Sequence, residues 1–139
     1  MQKILAIDDD TTILMLLDRC LGGLGYEVET VSDPADAMGR LDQGGYALVI
    51  IDIVLPETDG FAVFKEVCAA HRLPCLFLTV AINSFSTEND VARELWETEF
   101  PKGSTDILYK PFPLRSLTEK VESLIGAADF ADAGDPTAV

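Results

Sequence analysis

The sequence predicts an α/β domain, a five-stranded parallel sheet with helices on both faces, and three observations carry that prediction. Five short apolar runs recur: "ILAI" (4–7), "YEVETV" (26–31), "YALVII" (46–51), "CLFLT" (75–79) and "DILY" (106–109). Four of them are nearly continuously apolar, the pattern of strands buried on both faces, whereas "YEVETV" alternates as an edge strand does. Between the runs lie stretches with helical spacing, so the order is a strand and a helix repeated five times.

The elements follow in chain order. After the first run, Asp10 is placed to cap a helix beginning at Thr11 or Thr12. Ile13, Leu14, Leu17, Leu21 and Leu24 share one face of that helix, and Gly22, Gly23 and Gly25 supply its stop signals. "DPADAMGRLDQGG" opens a second helix with an Asp cap and Pro34 in its first turn, and closes it at paired glycines. Asp59 can cap "GFAVFKEVCAAH", whose Phe64, Val67 and Cys68 face inward. "SFSTENDVARELWETEFPKG" carries a Ser/Thr cap and spaces Val91, Leu95 and Trp96 as a fourth helix does. The last helix, from about Pro113 to Ile125, places Leu114, Leu117, Val121, Leu124 and Ile125 on one stripe. Parallel strands require crossover helices of one hand, which gives a doubly wound, flavodoxin-like sheet of order 2-1-3-4-5. The expected domain spans 1–126. The remaining 127–139 is Ala-, Asp- and Gly-rich and reads as a disordered tail or linker stub.

Composition narrows the function. Ten basic against 24 acidic residues give a net charge of −14, which argues against nucleic acid or an anionic membrane as direct partner. No apolar run approaches the length of a bilayer span, and the N-terminus turns acidic at once, unlike a secretory signal. A soluble, cytoplasmic protein is expected. Cys20, Cys68 and Cys75 lie in apolar segments and read as small buried thiols, and the single histidine, His71, as a solvated helix end.

In a doubly wound sheet, ligands bind beyond the carboxyl ends of the strands. Those ends carry Asp8, Asp9 and Asp10, then Asp52, Thr79 and Lys110. Clustered carboxylates repel unless a cation neutralises them, and Mg²⁺, a hard ion taking oxygen ligands, fits the set. Carboxylates, a hydroxyl and an ammonium at one edge suit phosphoryl transfer with Asp as nucleophile.

These residues resemble the receiver domain of two-component response regulators, the CheY-like family. "ILAIDDD", "LVIIDIVLPETDG", "FLT" and "GSTDILYKPF" match in order and span Ile4 to about Ile125. The resemblance implies that Asp52 is the phosphoacceptor and that Asp8, Asp9, Asp52 and the Val54 backbone carbonyl hold Mg²⁺. The metal pair could be shifted by one position within the Asp triplet. Thr79 and Lys110 would contact the phosphoryl group, Pro56 matches the family's loop, and Lys110-Pro111 matches a Lys-Pro pair often in the cis form. The implied protein is a signalling phosphoprotein rather than an enzyme with a separate substrate. Its phosphodonor would be a sensor histidine kinase or a histidine phosphotransfer protein. Its output would pass to an unnamed protein target through the 80–112 region, and the surface of the fourth helix, fifth strand and fifth helix is the candidate for homodimerisation.

Three departures qualify the match. Ile107 stands where the family commonly has an aromatic switch residue. Val54 and Ala81 lie two residues beyond Asp52 and Thr79, where polar side chains often tune water access. The 80–102 segment is longer than usual, either an extended loop and helix packed on the sheet or a modified signalling face presenting Trp96 or Phe100. Other readings fit less well. A haloacid-dehalogenase phosphohydrolase needs a second acid where Val54 stands, and a flavin module needs a phosphate-cradling loop where "DDDTT" would repel one. A receiver fold acting as an interaction module without phosphorylation is the main alternative.

Overall fold

The computed structural model describes residues 2–52, 54–55, 58–59, 73–80 and 105–126. Strand β1 (Lys3–Ile7) leads through the Asp triplet into α1 (Thr11–Gly23), then β2 (Glu27–Val31), α2 (Pro34–Gln43) and β3 (Leu48–Asp52). Two short strands follow, β4 (Val54–Leu55) and β5 (Thr58–Asp59), paired antiparallel with Val54 opposite Asp59. Strands β6 (Cys75–Val80) and β7 (Thr105–Lys110) and helix α3 (Leu114–Ile125) complete the described chain. The main sheet is parallel with order β2-β1-β3-β6-β7, the expected 2-1-3-4-5 arrangement.

Alternation along the strands splits the core in two. Ile4, Ala6, Leu48, Ile50, Leu76, Leu78 and Leu108 pack beneath α1 and α3 with Leu14, Leu17, Leu21, Leu117 and Val121. Leu5, Ile7, Val49, Ile51 and Phe77 face the other way, against Ala37 and Leu41 of α2. Because β1, β3 and β6 bury both faces, their sequences admit almost no polar residue.

The helix ends follow their caps. Asp33 accepts the Ala35 N–H at 3.0 Å with Pro34 in the first turn, and α2 stops at Gly44, whose φ of 78° favours glycine. The far end of α3 is tied down by distant residues. Gln2 Nε2 donates to the Ile125 carbonyl at 2.7 Å and the Tyr26 hydroxyl donates to the Gly126 carbonyl at 2.8 Å. At the sheet margin, Glu29 of β2 accepts from Arg40 and Tyr46 and pairs with Lys3 at 2.7 Å, joining β1, β2 and α2.

Two expectations change. The last apolar run, read as buried on both faces, is only partly so: Thr105 and Leu108 of β7 are buried and the rest half-buried, at the edge position that the 2-1-3-4-5 order gives it. Leu114 is 49% exposed and lies off the buried stripe of α3, which is carried by Leu117 and Val121. Asp59 ends β5, the position from which it is expected to cap a helix. The helix expected after it lies outside the described residues, as do Pro56, Cys68, His71, Ala81, the expected fourth helix with Trp96 and Phe100, and the 127–139 tail. Cys75 is buried and Cys20 half-buried, with no disulfide among the described residues. Among those residues, no helix is long and apolar enough to cross a membrane.

Candidate functional site

The carboxyl edge of the sheet brings the acids together. Asp52 ends β3 opposite Leu78, and Asp8 follows β1 directly, its N–H extending the ladder to the Val31 carbonyl at 3.2 Å. Lys110 ends β7 opposite Val80, one position beyond the Thr79–Tyr109 pair. Asp8, Asp52 and Lys110 share strand parity with Ala6, Ile50 and Leu108, so all three belong to the sheet face beneath α1 and α3.

The Lys110 ammonium bridges two strands. Its Nζ lies 2.8 Å from Asp8 Oδ2 and 2.9 Å from Asp52 Oδ2. Asp8 is fully buried and Asp52 nearly so, whereas Asp9 is exposed. One carboxylate oxygen from each of Asp8, Asp9 and Asp52 lies within 4.8 Å of the others. Three convergent oxygen donors suit a hard divalent cation such as Mg²⁺, and among the described residues neither Cys nor His joins this group.

Burial sets the electrostatics of the acids. Burial, with a smaller push from Asp52, raises the Asp8 carboxyl to about 6, against the pull of Lys110 and the Asp10 N–H. Burial alone would lower the Lys110 ammonium, but hydrogen bonds to Asp8 and Asp52 outweigh it and hold the group above its ordinary value.

The Asp triplet divides into three roles. Asp8 binds Lys110, Asp9 faces solvent beside the same cluster, and Asp10 caps α1 by accepting from Thr12 N at 2.9 Å and Ile13 N at 3.4 Å. That places Asp10 outside the acid group. A contact the sequence did not disclose ties the triplet together: the Asp10 N–H donates to Asp8 Oδ1 at 2.9 Å. The other expected residues fall around this centre. Val54 lies in β4, Thr79 lies in β6 beside the Asp52 position, and the Lys110-Pro111 bond is cis. Ile107 sits elsewhere, half-buried against the core on the α2 side of the sheet.

Comparison with known proteins agrees with this geometry. The family model for the response regulator receiver domain matches residues 4–122. The transcriptional regulatory protein GltR of Pseudomonas aeruginosa is 32% identical over 93% of this chain and 51% of its own length. The alkaline phosphatase synthesis transcriptional regulatory protein PhoP of Bacillus subtilis is 30% identical over 94% of this chain and 51% of its own. The chain thus spans about half the length of these curated relatives. Among solved structures, chemotaxis protein CheY4 of Vibrio cholerae superposes with a TM-score of 0.73 at 28% identity, covering 89% of this chain and 98% of that one. Response regulator TrrA of Thermotoga maritima, in complex with Mg²⁺-BeF, gives 0.71 at 28% identity, covering 89% and 99%.

Proposed function

The chain belongs to the response regulator receiver domain family of two-component signalling, and from that premise we propose that it accepts a phosphoryl group on Asp52. The observation that carries this reading is the Lys110 bridge between Asp8 and Asp52 beside the three-acid cluster. It gathers a nucleophile, a cation and a set of metal ligands at one partly open edge. Asp8, Asp9, Asp52 and the Val54 carbonyl would hold Mg²⁺, which when bound supplies neutralisation of phosphoryl charge. The structure of TrrA with Mg²⁺-BeF supports that choice of ion by analogy.

The chain's own residues define the transfer. An Asp52 carboxylate oxygen attacks the phosphorus of a phosphohistidine on a sensor kinase or phosphotransfer protein. The oxygen–phosphorus bond forms as the phosphorus–nitrogen bond breaks, and the imidazole leaves with the electron pair. Lys110, already 2.9 Å from Asp52, is positioned to follow the transferred oxygens, and Thr79 would donate a hydrogen bond to them. Water attack on phosphorus later returns the free carboxylate. The acyl phosphate biases a conformational equilibrium that a protein target reads.

The surface for that target is assigned to the 80–112 region, and homodimer formation to the fourth helix, fifth strand and fifth helix. The described parts of these surfaces, β7 and α3, frame a groove lined by Ile107, Tyr109, Phe112, Ser116 and Lys120. The domain boundary at 126, the cytoplasmic setting and the absence of direct nucleic-acid contact by this acidic chain belong to the same proposal. The test is intact mass after incubation with acetyl phosphate and Mg²⁺. Wild type should gain one phosphoryl group and Asp52→Ala none; an equal gain in both, or none in wild type, defeats the assignment.

A further inference from the structure

We propose that Asp10 is a positioning residue, whose cap on α1 aims its own backbone N–H at Asp8 and so fixes the acid group. Four contacts converge on Asp10. Its Oδ1 accepts from Thr12 N and Ile13 N, its carbonyl accepts the first helical bond from Leu14 N at 3.1 Å, and its N–H donates to Asp8 Oδ1 at 2.9 Å. The residue is extended, with φ −87° and ψ 104°, as an N-cap must be for its side chain to reach back over the first turn.

The chain of constraint runs from packing to the site. Leu14 and Leu17 anchor α1 in the core, the helix start is pinned by the Asp10 carboxylate, and the pinned backbone presents its N–H to Asp8. That N–H occupies Oδ1 of Asp8, and Lys110 takes Oδ2, so the buried carboxylate is held at both oxygens. Asp10 acts through geometry, and its charge is incidental. Asn caps a helix as well as Asp does, while Ala does not cap.

This inference rests on the Mg²⁺ reading above for one of its two readouts only. Amide hydrogen exchange at residue 10, measured in the metal-free protein, reports the N–H to Asp8 directly. Calorimetric titration with Mg²⁺ reports the consequence for the acids, with Asp9→Asn as the variant that removes a ligand. Asp10→Asn should keep the residue-10 amide protected and bind Mg²⁺ within about threefold of wild type, since one exposed charge is largely screened. Asp10→Ala should lose that protection and weaken Mg²⁺ about tenfold, as removal of an outer-sphere support commonly does. Asp10→Ser, a shorter cap, should restore protection.

If Asp10→Asn weakens Mg²⁺ as severely as Asp9→Asn, Asp10 is acting as a metal ligand and the proposal is overturned. Unchanged protection at residue 10 in Asp10→Ala overturns it as well. Should wild type bind no Mg²⁺ at all, the metal reading fails, and the amide measurement still decides the positioning role.

Discussion

Replacing Asp8 by Asn should change how the stability of the metal-free protein depends on pH. Asp8 has no solvent exposure, and its carboxyl is raised from 3.8 to about 6, with burial the leading cause. An acid with a higher folded than unfolded pKa binds its proton more tightly in the native state. Its ionisation therefore costs stability: the cost is absent below pH 3.8, grows up to about 6 and is complete above that. The shift corresponds to roughly 3 kcal/mol. Asn keeps the size of Asp8 and can still accept the Asp10 N–H, but carries no charge to desolvate. Lys110 keeps its bond to Asp52. The Asp8–Lys110 bond is already part of the balance that sets the Asp8 value, so its loss is included in that difference. The assay is urea unfolding followed by circular dichroism, with a chelator present, at a series of pH values. The unfolding free energy of Asp8→Asn minus that of wild type should climb by about 3 kcal/mol across the titration and then level off. Mg²⁺ should stabilise wild type at the upper end and leave the variant nearly unchanged. A difference that stays flat with pH would refute burial of a charged Asp8 as its source.

Three other outcomes are expected. Leu17→Ala, at a fully buried position beneath α1, should cost about 2–5 kcal/mol in denaturant unfolding with little change in slope. Glu29 is held below its ordinary value by hydrogen bonds from Lys3 and Tyr46, against a smaller opposing effect of burial. The stability this contributes is present above the ordinary carboxylate range and lost as pH falls through the lowered value. Glu29→Gln should thus be less stable than wild type at neutral pH and converge with it in acid, as pH-resolved thermal unfolding can check. Val54→Asn should shorten the lifetime of the Asp52 phosphate by admitting and orienting water, and a half-life equal to that of wild type in a phosphate-loss time course counts against that role.

Much of the fold was legible because parallel sheets write themselves strongly into sequence. β1, β3 and β6 are buried on both sides, so their runs cannot be mistaken for amphipathic helices, and Asp33-Pro34 and the Gly44-Gly45 pair mark α2 by backbone chemistry alone. What the apolar run of β7 did not show was how much of it is covered: the strand order already put it at the edge of the sheet, and only Thr105 and Leu108 are buried. Leu114 fits the period of α3 but falls on its first residue, beyond the reach of the core. At the site, strand-end position gave Asp52, Asp8 and Lys110 at once. The division of labour among Asp8, Asp9 and Asp10 was not legible, since three identical side chains in a row differ only in where the backbone turns. The joins made by Glu29 and Tyr26 link residues far apart in sequence, and neither has a local signature.

The two bonds that secure the end of α3 have a mechanical consequence. Gln2 and Tyr26 grip Ile125 and Gly126 at the margin of the sheet remote from Asp52, while the start of α3 is joined to Lys110 through three residues. The helix therefore spans from the functional edge of the sheet to its opposite margin, tied at both ends and held between them by Leu117 and Val121 in the core.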